Sequence, residues 1–80
     1  MIHARPDYQN IQAPKRQIPS DEPVFLIRAQ DQVSGEAVRH WADLNDQYGG
    51  DPAASVLARE HALRMDAWPK KKPGDLPPQE

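Results

Sequence analysis

The side chains best equipped for acid–base or metal chemistry in this chain are three histidines, His3, His40 and His61. His40 and Asp43 stand three residues apart, which on a helix puts both on one face and within reach of one cation. One imidazole and one carboxylate fall short of a protein metal site, and no HExxH spacing occurs. His40 therefore reads as a solvated side chain. His61 falls within an apolar stripe and reads as a partly buried histidine packed between helices, with a pH-sensitive contact as the sharper alternative. The serines are Ser20, Ser34 and Ser55; none stands in an arrangement with a histidine and a carboxylate, and Ser34 is better explained as a helix cap. Gly49-Gly50 closes a helical pattern instead of opening one after a strand, so it is no phosphate loop. The chain has no cysteine, hence no thiol nucleophile, thiolate ligand or disulfide. Together these residues predict no catalytic centre, no metal and no cofactor.

Basic groups define the second kind of chemistry. Net charge is −2, and residues 1–22 carry three basic and three acidic groups while residues 23–68 carry four and seven. Only Lys70, Lys71 and Lys72 form a run of like charge. With Arg59 and Arg64 they are the candidate contacts of a weak nucleic-acid binder. The two arginines, however, stand beside Glu60 and Asp66, and no basic stripe of the kind that tracks a phosphate backbone is present. Nucleic acid is thus the secondary reading.

The elements that must position these groups lie mostly in the C-terminal half. Ser34 is placed to cap a helix running to Tyr48. At 100° per residue, Val33, Ala37, Val38, Trp41, Ala42, Leu44 and Tyr48 share one arc and Glu36, Arg39, Asp43, Asp46 and Gln47 oppose it. Asn45 is the one polar residue inside the apolar arc. Gly49-Gly50 ends this helix, and Asp51-Pro52 starts another with an acceptor at the cap and proline at the first helical position. The second helix should end near Trp68, before Pro69. It carries one face of Leu57, His61, Met65 and Trp68 and a second stripe of Val56, Leu63 and Ala67. So short a connection forces a hairpin of helices.

Elsewhere the signals are weaker. Pro6, Pro14 and Pro19 make residues 1–22 an extended arm. Pro23 to Arg28 has strand composition, yet residues 22–31 could equally form a short first helix. As a strand it needs a partner for its backbone groups, either the arm or a second chain. Residues 69–80 hold four prolines and read as a flexible tail. The expected domain spans 23–68: a mainly α domain with a C-terminal antiparallel helix hairpin, an extended arm and one short strand or helix at 23–31. Its few aromatic residues, Phe25, Trp41, Tyr48 and Trp68 with Tyr8, are expected to supply most of the core. The longest apolar run, Val24 to Ile27, is too short to span a membrane, and no secretory signal is apparent, which predicts a cytoplasmic protein.

The stretch Lys15-Arg16-Gln17-Ile18-Pro19-Ser20-Asp21-Glu22-Pro23-Val24-Phe25-Leu26-Ile27-Arg28-Ala29-Gln30-Asp31, followed by Val38-Arg39-His40-Trp41-Ala42, resembles a family of small uncharacterised proteins from phages and bacterial genomes. The likeness covers residues 5–68. It carries no catalytic residues to transfer. It implies a protein that binds host machinery, and an inhibitor of a bacterial defence system, anti-CRISPR-like, is one version of that.

The expected function is therefore a small non-enzymatic protein-interaction module. Its candidate interface is Val24, Phe25, Ile27, Val56, Arg59 and Leu63, the apolar surface beyond what a hairpin can bury. A homodimer is an expected form of it, because a chain this short without disulfides needs additional burial; a self-associating structural protein is a further alternative.

Overall fold

The computed structural model describes residues 2–3 and 18–74. The elements are β1 (Ile2–His3), β2 (Pro23–Val24), α1 (Ser34–Gln47) and α2 (Pro52–Asp66). The protein is mainly helical, and the compact helical unit runs from Ile27 to Gly74. The strand pair belongs to a separate unit. There β1 and β2 run parallel, with Ile2 opposite Pro23 and His3 opposite Val24. The choice between strand and helix at 23–31 falls to a two-residue strand. Its partner comes from the N-terminal arm, the solution that satisfies the backbone at a proline-led edge. The remainder of the arm lies outside the described residues.

In the helical unit, α2 begins as its sequence dictates. The Asp51 carboxylate accepts from the Ala53 amide at 2.9 Å, and Pro52 occupies the first helical position. Gly49 takes φ of 77° in the connection, which a β-carbon would disfavour. The start of α1 differs from expectation. Ser34 is the first helical residue, not its cap, and the cap position belongs to Val33, which has no side-chain acceptor. Asp31 substitutes from two residues upstream: its carboxylate accepts from the Val33 amide at 2.9 Å and its carbonyl from the Ser34 amide at 3.0 Å. That frees the Ser34 hydroxyl to turn inward and donate to the Ala29 carbonyl.

The interior also departs from the prediction. The buried residues of α1 are Ser34, Gly35 and Ala42, and those of α2 are Ser55, Ala62 and Met65. Gly35 and Ala42 are seven apart, as are Ser55 and Ala62, so each helix presents small side chains at successive double turns of one line. Small residues let the backbones approach closely and leave no depth for an indole ring. A β-carbon on Gly35 would run into the Asp66 carboxylate. The aromatic core is therefore not what forms: Trp41, Tyr48 and Trp68 stay at the surface.

Beyond α2 the chain turns back. Lys72 donates its amide to the Gln30 carbonyl at 2.8 Å and accepts from the Gln32 amide at 2.9 Å, a single bridge opposite Asp31. Lys71 Nζ donates to the Ala29 carbonyl at 2.7 Å and to the Met65 carbonyl. The latter belongs to the last turn of α2, where a cation complements the helix dipole. The expected tail is thus anchored at Lys71 and Lys72, and residues 75–80 lie outside the described residues.

Candidate functional site

The contacts between α1 and α2 run the length of the hairpin. Asn45 Nδ2 donates to Ser55 Oγ at 2.9 Å and to the Asp51 carbonyl at 3.0 Å, beside the connection. Arg39 pairs with Asp66 at 2.6 Å near the other end. Such pairing holds the helices alongside one another in antiparallel order. Asn45, the blemish of the apolar arc, is the residue that locks the connection to α2. Ser55 Oγ in turn donates to the Ala42 carbonyl at 3.3 Å, so the buried hydroxyl is satisfied on both sides.

One side of this hairpin is charged. Arg59 Nη2 reaches Asp43 at 2.9 Å and Asp46 at 2.8 Å, and the Arg39–Asp66 pair lies on the same side. The Ser55 hydroxyl, then the Arg59 guanidinium, holds the Asp46 carboxyl below its ordinary value of 3.8. Asp43 and Asp46 in turn raise Arg59 above its ordinary value. Arg59 is therefore ion-paired within its own fold, with its side chain still 39% exposed.

The other side is apolar. Val38 from α1 and Leu57, Ala58, Glu60, His61 and Arg64 from α2 line an open groove. By helix periodicity Trp41 continues the Val38 wall along α1, and Trp68 follows the C-cap Ala67, just beyond the end of α2. Trp41 and Trp68 are each 50% exposed, Leu57 65% and Tyr48 80%. Together these four leave on the order of 500 Å² uncovered, within the range of the largest patch on an ordinary monomer. His61 is exposed on this groove, not packed between the helices as expected. Its neighbours Glu60 and Arg64 put both signs of charge on the groove's outer rim.

The sequence-predicted interface residues fall in three places. Val56 and Leu63 are 53% and 67% exposed, but they lie on the charged side, flanking Arg59. Val24 is half-buried within β2, and Ile27 is half-buried at the start of the helical unit. Phe25 is largely exposed and already engaged in a contact. The predicted phosphate contacts do not assemble either: Arg59 is paired with carboxylates, Lys71 is bonded to two carbonyls, and Arg64 stands on the apolar groove.

Sequence reasoning assigned the aromatic face to the core. The signal that could have relocated it was the seven-residue spacing of Gly35 with Ala42 and of Ser55 with Ala62, which competes for the same seam. Among the described residues no three histidine, aspartate or glutamate side chains come together as a metal set. No helix among them is long and apolar enough to cross a membrane. No protein-family model, curated protein or solved structure matches the chain.

Proposed function

We propose that this protein is a non-enzymatic protein-interaction module of the cytoplasm, and that it works through the Trp41–Leu57–Trp68 face of its helix hairpin. One observation carries the reading. Apart from Met65, the buried positions of the hairpin are small, and the large side chains of the aromatic face stay at least half exposed. The hairpin therefore holds together with only part of their burial. Tryptophan and tyrosine dominate the energetics of protein interfaces, whereas isolated valine and leucine contribute less. That favours the aromatic face over Val56 and Leu63. The likeness to small phage proteins supports a partner belonging to the host, with inhibition of a defence complex as one version.

The test is site-specific photo-crosslinking in cells, with the photoreactive residue at Leu57 or Tyr48 and, as the control, at Glu36 or Asp43. The expected outcome is a discrete protein adduct from the first pair and none from the second. Absence of any protein adduct at Leu57 and Tyr48, self-adducts included, would remove the reading. Nucleic-acid binding is the second reading, favoured only by the Lys70–Lys72 run. It requires duplex DNA affinity that falls steeply with salt and depends on Lys70, Lys72 and Arg64.

A further inference from the structure

We infer that the partner seated on the aromatic face is a second copy of this chain, joined face to face about a two-fold axis to give a four-helix bundle. This rests on the protein-interaction reading and names its occupant. Helix geometry sets the size of the face. Two helices of 14 and 15 residues are each about 22 Å long and stand about 9 Å apart, a plane that buries roughly 600–800 Å² per partner once side chains interdigitate. That is close to the area on which stable complexes rest.

The pattern of the face is self-complementary at one register. Arg39 and Ala62 lie level with each other, midway between the Asp43–Arg59 pair and the approach of Gly35 to Asp66. A two-fold axis crossing the hairpin at this height, perpendicular to the helices, sets α1 antiparallel on α1 and α2 antiparallel on α2. Glu60 of one copy then meets Arg64 of the other, twice by symmetry. Leu57 meets Trp68, Trp41 meets Ala37, and Leu44 meets Val33. Large side chains oppose small or medium ones and unlike charges oppose each other on the rim from a single placement of the axis. His61, one residue from it, stands beside its own symmetry mate, and Trp68 lies just beyond the end of α2. An isologous interface requires this of one surface: each residue must suit its symmetry mate's neighbour. The ion-paired side has no such match, because its charges are already paired within the chain.

Sedimentation velocity on the full chain at about 100 µM tests the assembly. The expected species has twice the 9.0 kDa mass of the chain. Glu60→Arg and Arg64→Glu each place like charges across the axis and should weaken association at least about tenfold. Each also places like charges within its own helix, so the decisive sample is their mixture. A Glu60→Arg chain beside an Arg64→Glu chain restores both intermolecular pairs and neither intramolecular one, and heterodimers should return. Circular dichroism checks that both variants keep their helices. A dimer indifferent to both substitutions, or no rescue on mixing, would overturn the proposed register.

A wild-type monomer would overturn the proposal outright, and iodide quenching then says what fails with it. Accessible tryptophans leave the aromatic face open to another protein, so the wider reading stands. Tryptophans shielded in the monomer place a segment of the same chain on the face, and the wider reading falls too.

Discussion

The two sides of the hairpin solve different problems with the same helices. On one, Arg59 bridges Asp43 and Asp46, and Arg39 meets Asp66, so every one of these charges finds its partner within the chain. On the other, Trp41 and Trp68 are 50% exposed and Leu57 65%. Between them runs a seam of glycine, alanine and serine. The lesson is that the strength of an amphipathic pattern does not say which part of it faces the nearest neighbour. Close approach selects small residues, and large ones are displaced to the flank, where they are available for something else.

The largest effect should come from the seam that separates the two sides. Ala42 is fully buried. Ala42→Leu inserts three carbons where backbones approach, and should lower stability by about 1–3 kcal/mol, read as a fall in thermal midpoint by circular dichroism. If the midpoint holds, the seam is looser than described and the contrast between the sides weakens.

Next is the polar lock of the connection. Asn45→Ala leaves the buried Ser55 hydroxyl without its donor, while the Asp51 carbonyl keeps the Ala54 amide. It should lower stability by about 1–2 kcal/mol, since an unmet buried group carries its desolvation penalty. Asn45→Leu, which extends the apolar arc, should not rescue it. A stabilised leucine variant would mean that the arc, not the lock, organises the loop.

Smaller effects belong to the charged side, whose pairs are exposed. Arg59→Ala should lower the thermal midpoint slightly, and added salt should shrink the difference. The same pair has a pH signature. Because the fold depresses the Asp46 carboxyl below 3.8, its contribution is complete above that value and is lost as pH falls through the depressed one. Acid titration of the midpoint should therefore show a loss below about pH 4 that Asp46→Asn reduces. An unchanged acid limb in the asparagine variant would show that Asp46 does not carry it.

The smallest effect on folding, and the sharpest contrast, is expected on the aromatic side. In dilute solution Tyr48→Ser should leave the thermal midpoint nearly unchanged, because the side chain is already 80% exposed. The same substitution should weaken partner adducts at Leu57. A large loss of stability in dilute solution would make Tyr48 a core residue after all and erase the distinction between the sides.

Much of the hairpin was legible without coordinates. Asp51-Pro52 and Gly49 act through backbone chemistry confined to a few residues, so the end of one helix and the start of the next follow from local sequence. The cap of α1 was less legible. Ser34 has the right chemistry for a cap, but Asp31 holds the Val33 and Ser34 amides from upstream, the helix starts at Ser34 itself, and its hydroxyl is drawn inward to Ala29. The candidate site was legible only as surplus. Apolar surface beyond the needs of a hairpin was apparent, while Val56, Arg59 and Leu63 marked the side that the ion pairs occupy.

What the sequence by itself determined is therefore the local part: two amphipathic helices, their turn, the cap at Asp51, and a chain without thiol chemistry. Tertiary structure decided which residues of the apolar arc went inside, what Asn45 and Lys71 were for, and which side was left apolar. The physical reason is that helix starts and stops depend on neighbours in sequence, whereas burial depends on how closely two backbones come together. The Ser55 hydroxyl reaches the Ala42 carbonyl, and the buried Gly35 and Ala62 are likewise small, so the tryptophans are left half-exposed.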